Sequence, residues 1–344
     1  MEKNIIRPGL DSVSIIIPAL CNSEDSEELL TAILLQSVQP SELIVVRSGF
    51  ALDADSFWND WMDRFIPLGI KLIVVRVNNT LFPGAARNLG LQHATKQWVA
   101  FLDVETIPCE NWLSEQTKRI EAANAMGSFG STAYAASSVK QAIVRDAVYG
   151  RRPIQTLPGS VLKKDLFSLV GQFIPNIRAA EDTEWMIRAK AMGLTIADSS
   201  HEALISYNGL TKLGLRGLAK KWRRNYLSSR QLQHLKVQTT IVWLVGYFVV
   251  SLIAFNWNEI VAGWQVESPF YIDHVTKIVS LTPIALYIVF RGCFLPFKRG
   301  VPLSDIFPFR FLLLAAVGAL LDTVKVLTIF FPRERQFRTS EHTE

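Results

Sequence analysis

Four short apolar runs, each separated from the next by a helix-like stretch, constrain this chain more than any other feature. Residues 13–18 (VSIIIP), 42–46 (ELIVV), 71–77 (KLIVVRV) and 98–102 (WVAFL) are rich in β-branched and aromatic side chains. Near-continuous apolar runs of this length read as strands buried on both faces of a parallel sheet. Between the first two runs, Leu29, Leu30, Ile33, Leu34 and Val38 recur at helical spacing, and Glu27 and Glu28 fall in the first turn. Residues 57–65 and 84–93 supply the next two helices. Such alternation builds βαβ units and an α/β sheet, whose ligands sit at the carboxyl ends of the strands. Those ends are Pro18 and Ala19, Arg47 and Ser48, Asn78 and Asn79, and the stretch from Asp103 to Glu105.

Further along, residues 126–171 are rich in Gly, Ser and Ala and carry no clear period. Residues 181–192 (EDTEWMIRAKAM) read as a helix ended by Gly193, with a strand at 195–198.

The apolar surplus lies at the other end. Of the 344 residues 49% are hydrophobic, and most of the excess follows residue 237. Residues 239–255 carry no charge; 278–290 lie between Lys277 and Arg291; 311–331 are broken by Asp322 and Lys325. With its flanks the first approaches the ~20 residues of a membrane span. Residues 212–236 hold eight Lys or Arg and no acid, with Leu215, Leu218, Trp222 and Tyr226 on one helical face. That is the pattern of a basic amphipathic helix in a membrane interface, or of a solvated basic face. The net charge of +5 is concentrated here, beside apolar helices, which argues against nucleic acid as the partner. By the positive-inside rule the basic segment is cytoplasmic, the acidic loop 256–273 is outside, and Lys298 and Arg299 are inside. Three spans would then put Arg333, Arg335 and Arg338 outside, so either the tail is weakly constrained or the third stretch does not cross. The N-terminus lacks an apolar signal core, so the first domain is expected in the cytoplasm. Cys21, Cys109 and Cys293 are too far apart for a CxxC metal site and are expected as reduced thiols.

Three constellations carry chemistry. Asp103 and Glu105 follow an apolar strand directly, and hard oxygens two residues apart suit Mg²⁺ or Mn²⁺ with phosphates completing the shell. Glu181 and Asp182 open a helix, where they either stabilise the dipole or supply a base for an acceptor hydroxyl. Trp185 beside them is a core residue or a platform for a sugar ring. In GAARN (84–88), small residues allow a close approach, and Arg87 has the reach for a diphosphate or base.

Taken together these strings resemble the family-2 glycosyltransferases. The likeness runs through VSIIIPALCNSEDSEELLTAILLQSVQPSELIVVRSG, FPGAARNLGLQHATKQWVAFLDVETIPCENWL, GSVLKKDLFSLVGQF and EDTEWMIRAKAMGLTIAD. The resemblance implies a GT-A fold, a Rossmann-like mixed sheet, and inverting transfer from a nucleotide-diphosphate sugar. It implies Asp103 and Glu105 as the metal pair, Asp182 as the base, Pro18 and Ala19 lining the nucleotide pocket, and Arg87 approaching the nucleotide. Asp103 also serves donor binding, and Glu181 and Trp185 serve the acceptor. Where the family often shows two acids before a glycine, this chain has Arg47 and Ser48 before Gly49, leaving the nucleotide open while keeping Arg47 at the donor site. The QxxRW signature of processive synthases is absent; KKWRR (220–224) is only loosely like it, and a single addition is expected.

The expected organisation is a catalytic domain over 1–207, a basic interfacial helix over 208–237, an α-helical membrane region over 238–332 and a basic tail over 333–344. The expected setting is the inner membrane, multi-pass, with the catalytic domain cytoplasmic. The partners are a nucleotide-sugar donor, a lipid-linked or glycan acceptor and membrane lipids, in polysaccharide or glycoconjugate synthesis. A polyprenyl-phosphate acceptor and an inactive scaffold are the alternatives.

Overall fold

The computed structural model describes residues 13–20, 26–49, 55–198, 201–209, 213–230, 232 and 240–330. Cys21, Lys212, residues 233–239 and the basic tail lie outside them. The described residues divide into two compact units, a sheet unit of 13–137 with 152–232, and a helical unit of 138–151 with 240–330.

The sheet unit is built on eight strands: β1 (Val13–Leu20), β2 (Glu42–Ser48), β3 (Lys71–Val77), β4 (Trp98–Phe101), β5 (Thr106–Pro108), β6 (Gly127–Tyr134), β7 (Ile154–Lys163) and β8 (Ile205–Tyr207). Their order is β3-β2-β1-β4-β7-β6-β8-β5. The first four are parallel; β7 runs antiparallel to β4, and β6 to β7. The helices are α1 (Glu27–Leu34), α2 (Asp55–Phe65), α3 (Pro83–His93), α4 (Trp112–Ala122), α6 (Leu166–Leu169), α7 (Glu181–Ala191) and α8 (Leu215–Ser229), with α5 (Val139–Val148) in the helical unit.

The period of two along the strands divides the core into two layers. Val13, Ile15, Ile17 and Ala19 of β1 join Leu43 and Val45 of β2 and the side chains of α1 and α2. Ile16, Ile44 and Val46 point the other way, onto Ala86 and Leu91 of α3 and Trp185 of α7. The faces alternate because the chain reverses direction. It steps from β1 through β2 to β3, then returns past β1 to β4, and right-handed crossovers put helices of opposite travel on opposite faces. The reversal leaves a crevice between β1 and β4 at their carboxyl ends, where open sheets bind ligands.

Much of 126–171, unassigned from sequence, is the hairpin of β6 and β7. Its Gly and Ser residues give little apolar alternation, and a register shift lies between Ser128 and Gly130. The expected strand at 195–198 is a single bridge from Ala197 to Ser128.

The helical unit contains α9 (Thr240–Ala262), α10 (Val275–Val289), a π-helical turn (Phe290–Phe294), α11 (Leu295–Lys298), α12 (Leu303–Ile306) and α13 (Arg310–Phe330). Among the described residues two helices are long and apolar enough to cross a membrane, Val275–Lys298 and Arg310–Thr328, each of mean hydropathy 1.9. The first runs past Arg291, where the sequence reading ended it. Arg291 Nη2 donates to Asp322 Oδ1 (2.9 Å) and to the Gly318 carbonyl (3.1 Å), and Tyr287 donates to the same carboxylate at 2.9 Å. The arginine and the acid that interrupts the third apolar stretch thus neutralise each other, the form in which charge is tolerated among apolar helices. Gly292 permits the contact, since a Cβ there would stand 2.3 Å from the Phe311 carbonyl oxygen.

Residues 138–151, expected within the catalytic domain, belong to this unit. The wholly buried Asp146 of α5 is ringed by Arg145 (2.9 Å), Arg151 (3.1 Å) and Arg310 (2.9 Å), and Arg151 also pairs with Asp305. Burial opposes the Asp146 charge, but hydrogen bonds from Arg151 and Arg145 hold its pKa below the ordinary value. Asp146→Ala should destabilise this unit by about 3–5 kcal/mol, because it leaves clustered guanidinium groups without their shared anion. Urea melts in detergent check this, and a loss under about 0.5 kcal/mol would refute it. A depressed carboxyl stabilises at pH above its unfolded value, so that contribution is lost only as pH falls below about 3.9.

Candidate active site

The crevice at the β1–β4 reversal collects the acidic side chains. Ile16 pairs with Phe101 across the strands, and Leu102 N donates to the Ile16 carbonyl at 3.2 Å, so Asp103 emerges level with the end of β1. The turn after it is closed by Thr106, whose Oγ accepts from Asp103 N (2.9 Å) and donates to the Asp103 carbonyl (2.5 Å).

Arg87 organises the floor. Its guanidinium donates to Asp103 Oδ1 at 2.8 Å and to Glu181 Oε1 at 2.6 Å, with Arg87 and Glu181 side chains only 3% and 4% exposed. Burial works against the Arg87 cation, but Asp103 and Glu181 more than offset it and hold its pKa above the ordinary value. Burial pushes the Glu181 carboxyl up; Arg87 opposes this and the Asp182 charge adds to it. The same Asp182 charge acts on Arg87. Asp103, Arg87, Glu181 and Asp182 therefore form one electrostatic unit, although 79 residues of sequence separate Asp103 from Asp182.

The GAARN string does structural work. Asn88 Nδ2 donates to the Phe173 carbonyl (2.8 Å) and its Oδ1 accepts from Phe173 N (3.0 Å), clamping the loop that leads into α7. A Cβ on Gly84 would lie 2.4 Å from the Ile174 carbonyl oxygen, so glycine lets that loop pass. The loop ends at Ala180, left-handed at φ 72°, a costly conformation for a residue with a Cβ that turns the chain sharply into α7. Asp182 in the first turn accepts from Thr183 N at 2.6 Å and from Thr183 Oγ at 3.2 Å.

Two expectations for acceptor contact are corrected. Trp185 is 0% exposed. Its ring stacks on Phe167 at 4.7 Å and its N–H donates to the Gly171 carbonyl, so no face is open to a sugar. Glu181 is likewise buried and taken up by Arg87. Arg87 in turn is a strut between carboxylates, not an arm extended toward a nucleotide. On the other flank, Ala19 pairs with Arg47 in register, and the Arg47 guanidinium lies 5.5 Å from the Trp58 ring centroid. Pro18, half-buried, lies beside Val46 on the same two strands.

Glu105 has a setting that the sequence did not reveal. Strand β8 pairs Tyr207 with Thr106, bringing the Tyr207 hydroxyl onto Glu105 Oε2. Lys221 of α8 donates to the Tyr207 oxygen at 3.2 Å and lies 3.9 Å from Glu105 Oε2. A Cβ on Gly209 would stand 1.9 Å from Glu105 Oε2, so glycine leaves the carboxylate its cradle. Residues 201–209 have no periodicity that could have announced this; β8 is three residues long and set by its partners. The stripe of α8 also differs from expectation: Leu218 and Trp222 are buried, and only Leu215 of the four is exposed.

The pair fits a small divalent cation by its chemistry. Asp103 and Glu105 present hard oxygens on side chains 33% and 51% exposed. Among the described residues no group of three or more His, Cys, Asp or Glu could hold a metal alone, so phosphate and water would complete the shell, as is usual for Mg²⁺.

Residues 14–183 match the model of the family described as glycosyl transferase family 2. Pre-mycofactocin glycosyltransferase from Mycobacterium tuberculosis is 31% identical over 106 residues, which is 31% of this chain and 20% of that protein. The chain thus spans about a fifth of the length of this curated relative. Mannosyltransferase PcManGT from Pyrobaculum calidifontis, solved with GDP-Man and Mn²⁺, superposes with a TM-score of 0.53 at 14% identity, over 94% of this chain and 88% of that one. TarS 1–349 from S. aureus, solved with UDP-GlcNAc, gives a TM-score of 0.45 at 14% identity, over 92% and 90%. The mixed sheet and the PcManGT likeness make the fold GT-A. The match over 14–183 makes this chain a member of glycosyl transferase family 2.

Proposed function

We propose that this chain transfers a sugar from a nucleotide-diphosphate sugar to an acceptor hydroxyl by one inverting displacement, next to a membrane. The carrying observation is the Arg87 strut, which ties the strand-end carboxylate Asp103 to the first turn of α7, where Asp182 lies. That supports a reading in which the crevice takes the leaving diphosphate and Asp182, beside it, serves as the base.

In this reading Asp182 takes the proton from the acceptor hydroxyl as its oxygen attacks the anomeric carbon from the face opposite the nucleotide. Arg87 and Glu181 fix α7 and Asp103 relative to one another, so the base need not reorganise during the reaction. A divalent cation, Mg²⁺ or Mn²⁺, held by Asp103 and Glu105 would neutralise the departing diphosphate. Pro18, Ala19 and Arg47, at the neighbouring strand ends, would line the nucleoside side. The mannosyltransferase neighbour, which carries GDP-Man and Mn²⁺, is consistent with such a donor.

The membrane setting draws on the two candidate spans and on the many exposed apolar side chains of α10 and α13, such as Ile278, Leu281, Leu286, Leu312 and Leu313. It favours a lipid-linked or membrane-borne glycan acceptor at the cytoplasmic face. The test is a donor-hydrolysis screen across nucleotide sugars, with Mn²⁺ and with EDTA. At least one nucleotide sugar should release nucleoside diphosphate, and EDTA should abolish release. Full release in EDTA would remove the metal from the mechanism, and release from none would remove the function.

A further inference from the structure

We infer that Lys221 of α8 binds the diphosphate of the sugar donor, so that a residue beyond the matched segment completes the donor site. The inference rests on the reading of Asp103 and Glu105 as the metal pair, and extends it to a residue that the sequence assigned to lipid.

The sequence pattern treats Lys220, Lys221, Arg223 and Arg224 of α8 alike, as one basic face at a membrane interface or in solvent. They divide instead. Lys220 and Arg223 are exposed, whereas Lys221 turns inward, with its side chain 22% exposed. Its ammonium stands 3.2 Å from the Tyr207 oxygen and 3.9 Å from Glu105 Oε2. A phosphate oxygen sharing a small divalent cation with Glu105 lies about 3–4 Å from that carboxylate, because each metal–oxygen bond is about 2 Å. Ammonium and phosphate oxygen would thus both border the Glu105 carboxylate, within about 4 Å of it. An ammonium has three donors, and the Tyr207 contact uses one.

The surrounding charge supports an anion at this point. Arg224, one turn further along α8, adds a second positive charge, which a diphosphate would offset. Tyr207 holds the arrangement: its hydroxyl donates to Glu105 and accepts from Lys221, and its ring packs edge-on against Tyr134 at 5.3 Å.

The test is calorimetry on the full chain in neutral detergent, titrating Mn²⁺ alone and then pyrophosphate in the presence of Mn²⁺. Wild type should bind both, and Asp103→Asn should lose both; failure of the wild type would remove the metal-site reading and this inference with it. Lys221→Met should weaken Mn²⁺–pyrophosphate by about 10- to 100-fold, the range of a charge-assisted hydrogen bond. It should leave Mn²⁺ alone no weaker. Lys221→Arg should stay within about threefold of wild type, since it retains the charge, and Lys220→Met should change nothing. Wild-type pyrophosphate affinity in Lys221→Met, or an equal loss in Lys220→Met, would overturn the assignment while leaving the metal pair intact. A loss confined to a short-chain polyprenyl phosphate would also overturn it, moving Lys221 to a lipid acceptor. If Lys221→Met does not fold, acetylation of the wild type decides: Mn²⁺–pyrophosphate should protect Lys221 and not Lys220, and equal labelling with and without it refutes the inference.

Discussion

Asp182→Asn is expected to cut sugar transfer by about 10²- to 10⁴-fold, the usual contribution of a positioned general base. Donor affinity should hardly move. The amide is isosteric with the carboxylate and can still accept from Thr183 N through its oxygen, so the first turn of α7 survives. The Arg87 bridge does not pass through Asp182, and so the floor of the crevice survives as well. The lost interaction belongs to the transition state, which places the defect in kcat and leaves KM near wild type. Pre-steady-state kinetics with a saturating donor would show this. If turnover survives and donor binding collapses, Asp182 is a binding residue and the base lies elsewhere.

Arg87→Met should be the most damaging single change to the fold of the site. It leaves Glu181, 4% exposed, without its cation and frees Asp103 from its anchor. Breaking a buried pair by removing one partner costs about 3–5 kcal/mol, because the remaining charge stays desolvated. Arg87→Lys should recover only part of this, since an ammonium lacks the planar fork that reaches two carboxylates at once. The double variant Arg87→Met, Glu181→Gln should be more stable than Arg87→Met alone, because it removes the stranded acid. Urea melts of wild type, Arg87→Met, Glu181→Gln and the double variant form a double-mutant cycle. A double variant no more stable than Arg87→Met would show that Glu181 is not held by this pairing.

The parallel half of the sheet was legible because its strands are buried on both faces. Ile15, Ile16 and Ile17 serve two cores at once, and such a run admits no other placement. The hairpin of β6 and β7 was not legible, because Gly127, Ser128 and Gly130 are shaped by close backbone approach and not by apolar period. In the site, Asp103, Glu105 and Asp182 could be named from position and resemblance. What holds them could not: the Arg87 strut, the Asn88 clamp and the Tyr207–Lys221 pair join residues up to about a hundred positions apart through side-chain contacts that leave no spacing pattern. For the same reason a chemical string misled at Trp185, where a ring beside two acids is a core residue under the helix that presents them. The ion pair of Arg291 and Asp322 escaped because each residue, read alone, argues against an apolar helix.

The account centres on a single displacement, with Asp182 on one side of the anomeric carbon and the diphosphate on the other. The measurement that bears on this most directly is the anomeric configuration of the product, read by proton NMR from the coupling of the anomeric hydrogen, using the donor that the hydrolysis screen identifies and an acceptor that it glycosylates. The account predicts a product of opposite configuration to the donor. Retention of the donor configuration would contradict it, since that outcome requires a second displacement or a front-face attack.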